Sequence, residues 1–317
     1  MNPSTALPAR LREPGSPAHA ALLRVALGLH LLAVLQSPAI DLLVDIRPEL
    51  HPQARVIGGA TAFAALSPAL VATLRDVGLV AAALFVLGLG GRLTTLVLLG
   101  SFTVTQYFWF GATLFHDDWI YFTFPLLAFL CLTHPTAFSL DARLRRRPSD
   151  PDTERREARL LIEAWVFWIG FVYLAAGIAK LFPLTKGIDW LSGIAAQHFA
   201  LEFVRQSPAI ALFGEPVIPL DARWIFALGA IATVIVELGA AALWFTRRAY
   251  LPVATAIFAM HLGIWLTGIP AFIGMFSVLA LSLLPRHAFT RADAWRDTRR
   301  APPAPEAAPT AAPDAAP

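Results

Sequence analysis

Long apolar stretches separated by short polar segments dominate the pattern along the chain. An α-helix needs about 20 apolar residues to cross a bilayer. Eight stretches approach or reach that length, at residues 20–36, 69–90, 93–112, 118–133, 160–182, 224–245, 250–269 and 271–284. We number them as predicted spans one to eight. The pattern predicts an all-α, polytopic integral membrane helical bundle with about eight transmembrane helices.

Arginine clusters between the predicted spans give an independent test of this count, because positive residues concentrate in cytoplasmic loops. Clusters precede span one, follow span eight, and lie between spans four and five and between spans six and seven, and the single Arg92 lies between spans two and three. With eight spans and both termini cytoplasmic, every cluster falls on the cytoplasmic side. Lys180 and the His116 loop then face the extracytoplasmic side of a bacterial inner membrane.

Composition agrees with this fold class and excludes several others. The chain is 57% hydrophobic and 15% charged, whereas soluble domains carry about 25% charged residues. The single Cys131 allows no intramolecular disulfide and no zinc site built on several cysteines. The basic residues lie in local clusters, so we expect no nucleic-acid partner. Residues 1–18 and the Ala/Pro-rich residues 291–317 are expected to be disordered tails around a transmembrane domain of residues 19–290.

Lys180 is the first candidate for chemistry, because only 2 of the 25 basic residues are lysines. Arginine stays protonated, whereas a lysine removed from water can lose its proton and act as a base. Gly170, Tyr173, Gly177 and Lys180 recur at spacings of three and four, so they share one helix face. That face is predicted to pack within the bundle. The alternative is a lysine that extends its ammonium group to the membrane surface.

Other polar residues leave several roles open. Glu237 is the one charged residue in span six, where an ionised carboxylate is costly. It is expected to be protonated, to pair with an arginine or histidine, or to relay protons. His30 and His261 are either hydrogen-bonded core residues or ligands. His116 and Asp118, just before span four, could cap a helix, bind a metal or orient a base. Hydrolase and nucleotide-binding motifs are not found.

Three motifs, in order over residues 22–284, resemble those of the HTTM family, which includes the vitamin K-dependent gamma-glutamyl carboxylase. They are Ser139-Leu-Asp141 ahead of an arginine run, Tyr173-Leu-Ala-Ala-Gly-Ile-Ala-Lys180-Leu followed by Asp189-Trp190, and His261 followed by Ile273-Gly-Met-Phe-Ser277. The carboxylase has a large soluble domain after its spans, and we expect this chain to end in the 291–317 tail instead.

The resemblance implies a chemistry in which Lys180 deprotonates a reduced quinone of the vitamin K or menaquinol type. Oxygen and carbon dioxide are then co-substrates, and a protein or peptide glutamate is carboxylated. The implied catalytic residues are Lys180, His261, Asp118 and His116, the implied quinone-binding residues are Tyr173, Gly177, Trp190, Met275 and Phe276, and no metal is implied. The bilayer and its quinone are the expected partners. The alternatives are a non-catalytic quinone- or lipid-binding membrane subunit and a transporter.

Overall fold

The computed structural model describes residues 11, 13–36, 67–113, 118–132, 138–144, 150–182, 190–203, 208–216, 218–267 and 272–300. All regular secondary structure within these ranges is helical. The α-helices are α1 Pro17–Leu35, α2 Pro68–Leu87, α3 Gly91–Thr113, α4 Asp118–Cys131, α5 Leu140–Leu144, α6 Pro151–Leu181, α7 Ile194–Phe203, α8 Pro208–Phe213, α9 Arg223–Gly239, α10 Ala242–Phe245, α11 Tyr250–Leu266, α12 Phe272–Ala280 and α13 Thr290–Arg300.

Five helical segments of the described chain are long and apolar enough to cross a membrane. They are Pro17–Leu35, Ala69–Leu87, Pro151–Leu181, Arg223–Phe245 and Arg247–Leu266. Their outer surfaces carry large apolar side chains, such as Val80, Ile235 and Leu251, which are 62%, 65% and 74% exposed. A water-soluble monomer seldom exposes so much apolar surface. The protein is therefore an all-α protein with several apolar helices of the membrane-spanning type.

The eighth predicted stretch, residues 271–284, is only partly α-helical. Helix α12 ends at Ala280, and a 3-10 turn at Leu281–Leu283 follows it. Pro285 explains why the helix does not continue, because the residue before a proline avoids the α conformation. Leu284 accordingly has an extended backbone, with ψ of 141°. This segment is shorter than the sequence pattern predicts.

Two helices begin earlier than their predicted spans, because each has a capping residue followed by proline. Ser16 accepts a hydrogen bond from the His19 N–H and starts α1. Asp150 accepts hydrogen bonds from the backbone N–H groups of Asp152 and Thr153 and starts α6, which is 31 residues long. At about 1.5 Å per residue, α6 is roughly 46 Å long. A bilayer core is about 30 Å thick, so the charged first turns of α6 extend beyond it.

Helix α6 occupies the centre of the bundle and packs against α1, α4, α9 and α10. Its Trp165 is fully buried and meets Phe129 of α4 edge-to-face, with ring centroids 5.9 Å apart. Phe129 in turn meets Phe85 of α2 edge-to-face at 5.2 Å. These aromatic contacts join α2, α4 and α6 into one core.

The Ser139–Asp141 motif has a structural role. Gly88 closes α2 in the left-handed region, with φ of 68°, and a Cβ there would overlap Ser139. The Asp141 N–H donates to the Gly88 carbonyl at 3.3 Å. The buried Arg24 of α1 donates to the Phe138 carbonyl at 3.0 Å. The motif thus holds α5 against the turn between α2 and α3.

Helix α13 is fastened to the first turns of α1 and α6 by charged groups. Arg296 forms a buried ion pair with Glu154 at 3.0 Å, and Arg155 contacts Asp297 at 2.7 Å. Partial burial raises the pKa of Asp297, but hydrogen bonds and charges from Arg296 and Arg155 outweigh it and hold the pKa below its usual range. Residues 291–300, which composition assigns to a disordered tail, are helical for this reason. The remainder of that tail, residues 301–317, lies outside the described residues.

Candidate functional site

One face of α6 carries the residues from which the site is built. Tyr173 and Gly177 on this face are buried, and the side chain of Lys180 is 19% exposed. Helix α9 packs along this face. The face therefore points into the bundle, as its spacing predicts, and Lys180 sits near the last turn of the helix.

Lys180 forms an ion pair with Glu237 of α9. The distance from Lys180 Nζ to Glu237 Oε1 is 2.5 Å, and the Glu237 side chain is 5% exposed. A carboxylate in an apolar environment needs a counter-charge, and Lys180 supplies it. The sequence pattern predicted an arginine or histidine partner for Glu237, and the structure has Lys180 in that place.

The second carboxylate oxygen of Glu237 has a different environment. Glu237 Oε2 is buried and has no hydrogen-bond partner among the described residues. Buried polar atoms normally have such partners, so an exception calls for an explanation. This oxygen is an acceptor positioned beside the lysine, and a hydroxyl group of a ligand would satisfy it.

Gly177 brings α6 and α9 close together at the ion pair. A Cβ at this position would lie 3.1 Å from the Glu237 Cβ and 3.1 Å from the Leu238 side chain. Those distances are tighter than ordinary van der Waals contact, so a larger residue would push the helices apart. Glycine at 177 is thus a packing requirement of the Lys180–Glu237 contact.

A second polar pair lies deeper on the same face. The Tyr173 hydroxyl and His261 Nε2 of α11 are 2.7 Å apart, and both residues are buried. Phe276 of α12 stacks on the His261 ring, with centroids 5.4 Å apart, and meets Tyr173 edge-to-face at 6.0 Å. Tyr173 precedes Lys180 by about two helical turns, or roughly 10 Å along the axis. The Lys180–Glu237 pair and the Tyr173–His261 pair therefore lie one after the other along α6, where it contacts α9 and α11.

Trp190 forms one wall beside the lysine. The Lys180 Nζ lies 5.5 Å from the Trp190 ring centroid, within the range of a cation–π contact. The turn that holds Trp190 depends on Gly193, whose φ of 78° favours glycine and whose Cβ would overlap the Ala227 backbone. Trp190 also stacks on Phe199 of α7 at 5.7 Å. The turn and α7 thus hold the indole ring over the ammonium group.

Apolar side chains surround the outer side of the ion pair. Those that are between 39% and 54% exposed are Ile178, Leu181, Phe182, Leu191 and Ile194. They belong to the end of α6, the Trp190 turn and the start of α7. An apolar molecule that approaches through lipid would therefore meet a compatible surface next to a charged pair.

Six of the nine predicted site residues come together here: Lys180, His261, Tyr173, Gly177, Trp190 and Phe276. Asp118 is the first residue of α4, and Met275 lies in α12 beside Phe276. The side chains of both lie outside the described part of the chain, as does all of His116. His30 lies apart from this group, against Phe122 with centroids 4.7 Å apart.

Glu237 is the site residue whose partner sequence reasoning missed. Its position within an apolar span was a clear signal of an interaction. The sequence does not show, however, which residues of spans five and six lie side by side. In the described residues, no group of three or more His, Cys, Asp or Glu side chains could hold a metal ion. The donors that are present suit proton transfer better than metal coordination.

Comparisons of the chain with protein-family models, with curated proteins and with solved structures find no match. The HTTM resemblance therefore depends on the sequence motifs alone.

Proposed function

We propose that this protein is a membrane enzyme in which the Lys180–Glu237 pair removes a proton from the hydroxyl group of an apolar ligand, namely a reduced membrane quinone. The observation that carries the proposal is the buried pair itself, with one glutamate oxygen lacking a partner among the described residues and apolar side chains exposed beside it. Intramembrane ionisable residues that face the bundle are functional candidates by default.

The pair can act as a base because the Lys180 ammonium group donates a hydrogen bond to the Glu237 carboxylate, along which a proton can pass. Movement of that proton from the ammonium group to the carboxylate leaves a neutral amine and a carboxylic acid, which avoids two buried charges. The amine of Lys180 then accepts the proton of the ligand hydroxyl. Glu237 Oε2 orients the same hydroxyl by accepting its hydrogen bond before the transfer.

The residues around the pair fit a quinone ring. Trp190 offers an aromatic face beside the lysine, and the exposed Phe182 and Ile194 suit an isoprenoid chain. Tyr173 and His261 form a hydrogen-bonded pair that fixes the inner end of the site. When bound, a reduced quinone would supply the reducing equivalents for oxygen activation, and the family resemblance makes carboxylation of a glutamate side chain the coupled reaction.

The proposed topology has eight spans, with α3, α4 and α12 completing the five long apolar helices and both termini in the cytoplasm. The alternation of arginine clusters supports it. Lys180 then lies near the extracytoplasmic surface of a bacterial inner membrane. A peptide substrate would approach from that side.

The test is epoxide formation by the purified full-length protein in lipid nanodiscs, supplied with reduced vitamin K or menaquinol, oxygen and carbon dioxide. We expect Lys180→Ala and Lys180→Arg each to lower the rate about 100-fold or more, because arginine cannot release its proton. The matched control is Arg156→Lys, a basic exchange at an exposed residue in the charged first turns of α6. It should leave the rate unchanged.

Two outcomes contradict the proposal: no epoxide from the wild-type protein, or equal epoxide from Lys180→Ala. An active wild type with a fully active Lys180→Arg would also contradict it. That pattern favours the alternative of a non-catalytic membrane subunit, in which the Lys180–Glu237 pair only joins α6 to α9. Such a subunit needs a cation at position 180 and no proton transfer.

A further inference from the structure

A cavity of about 370 Å³ lies at the opposite end of α6 from Lys180. Among its lining residues is Arg159 of α6, which precedes Lys180 by 21 positions in the same helix. That separation is roughly 30 Å along the helix axis, which is close to the thickness of a bilayer core. If Lys180 lies near one membrane surface, this cavity lies near the other.

Four arginines line the cavity: Arg159, Arg247, Arg248 and Arg286. The positive charges of Arg159 and Arg247 are balanced by carboxylates, because each arginine contacts both Glu13 and Glu163 at distances between 2.5 and 3.7 Å. Arg248 and Arg286 are exposed, and neither guanidinium forms an ion pair within the described residues. The cavity therefore has two positive charges that no described carboxylate balances.

The two uncompensated arginines are held by short, well-defined backbone turns. Arg248 lies in the 3-10 turn Arg247–Ala249, and its N–H donates to Thr246 Oγ1 at 3.2 Å. Arg286 begins the 3-10 turn Arg286–Phe289, directly after Pro285. Both turns border the same cavity. Both arginines therefore lie at defined backbone positions on the wall of one cavity.

Apolar residues line the cavity next to the cations. Leu251 is 74% exposed and Leu284 is 38% exposed, and both belong to the cavity wall. A soluble anion would leave these leucines uncovered. An amphiphile whose head is anionic and whose body is apolar would contact the arginines and the leucines together.

We propose that this cavity binds the phosphate headgroup of an anionic phospholipid. Arg248 and Arg286 donate to the phosphate oxygens, for which the planar guanidinium is well suited. One acyl chain lies along Leu251 and Leu284. Basic pockets between helices at a cytoplasmic membrane surface are suited to such headgroups. The site is separate from the proposed quinone site and does not depend on it.

The experiment is native mass spectrometry of the full-length protein with phosphatidylglycerol and phosphatidylcholine of identical acyl chains. We expect the wild-type protein to bind phosphatidylglycerol more tightly. The double variant Arg248→Gln/Arg286→Gln should weaken phosphatidylglycerol binding about tenfold or more, which is about 1.4 kcal/mol, because it removes the charged hydrogen bonds to the phosphate. Binding of phosphatidylcholine should change little.

The matched control is Arg143→Gln/Arg291→Gln, which removes two exposed arginines outside the cavity and changes the net charge equally. It should bind phosphatidylglycerol like the wild type. Equal loss in both double variants would show a diffuse charge effect and overturn the proposal. Equal affinity of the wild type for both lipids would overturn it as well. Competition by soluble glycerol phosphate at the same concentration as the lipid would assign the cavity to free phosphate esters instead.

Discussion

Lys180 and Glu237 are each the other's counter-charge within otherwise apolar helices. Removal of one member leaves the other buried without a partner, which is costly, whereas replacement of both by apolar residues removes the cost altogether. The pair therefore offers a way to separate its contribution to stability from its contribution to chemistry.

We expect Glu237→Leu alone to lower the free energy of unfolding by about 3 kcal/mol, because it leaves the Lys180 ammonium without its partner. The double variant Lys180→Met/Glu237→Leu should recover most of that loss and still be inactive. Unfolding by titration with SDS measures the stability, and epoxide formation measures the activity. A double variant that keeps its activity would contradict a role of the pair in proton transfer.

The control for this comparison is Asp152→Asn. Asp152 pairs with Arg155 at 3.8 Å, but its side chain is 91% exposed in the first turn of α6, beyond the bilayer core. Exposed ion pairs contribute about 0–1 kcal/mol, so this variant should unfold like the wild type. An equal loss in Asp152→Asn and Glu237→Leu would mean that burial does not strengthen the Lys180–Glu237 pair.

At the scale of the helix, Gly177 sets the approach of α6 to α9. Gly177→Ala adds a Cβ 3.1 Å from both Glu237 and Leu238. Overpacking of this kind costs about 1–3 kcal/mol. We expect lower stability and a loss of epoxide formation greater than the stability loss explains, because the displaced α9 carries Glu237 away from Lys180.

Gly229→Ala provides the matched control in α9. A Cβ at position 229 meets no atom within 4 Å, so alanine should be neutral or slightly stabilising there. Thermal unfolding of the two variants in the same detergent gives the comparison. If Gly177→Ala behaves like Gly229→Ala, the helices are not in close contact at the ion pair.

The residues that share one face of α6 were predictable from sequence, and the residues of other helices that contact this face were not. The spacing of Tyr173, Gly177 and Lys180 needs only the helical period. The meeting of Lys180 with Glu237 depends on the register between α6 and α9. That register is set by tertiary contacts such as the close approach at Gly177. No local sequence pattern contains this information.

The ends of the helices show the same difference between what the local sequence predicts and what tertiary contacts determine. Hydrophobic patterning located the apolar part of α6, but the helix begins nine residues before the predicted span because Asp150 caps it and Pro151 follows. The helical state of α13 was missed for a different reason. Its composition is highly charged, and partners from another part of the chain, Glu154 and Arg155, stabilise it.

At the scale of the whole molecule, the topology places the start of α6 and the segment between α8 and α9 on opposite sides of the membrane. Asp152 and Glu215 are both exposed. Each is replaced in turn by cysteine in a Cys131→Ser background. A membrane-impermeant thiol reagent added outside intact cells should label Glu215→Cys and leave Asp152→Cys unlabelled until the membrane is opened. Labelling of both positions, or of Asp152→Cys alone, would contradict the proposed orientation.

The fastening of α13 has a consequence for synthesis. The Ala18 N–H donates to Asp293 Oδ1 at 3.0 Å, and the two residues are 275 positions apart. At about 5–20 residues per second, the ribosome delivers the second partner roughly 15–55 s after the first. Throughout that interval the start of α1 lacks its final neighbour, and so do the charged first turns of α6 from the moment they are made. A chain cut before Thr290 would therefore leave its first helix in the state of a nascent protein.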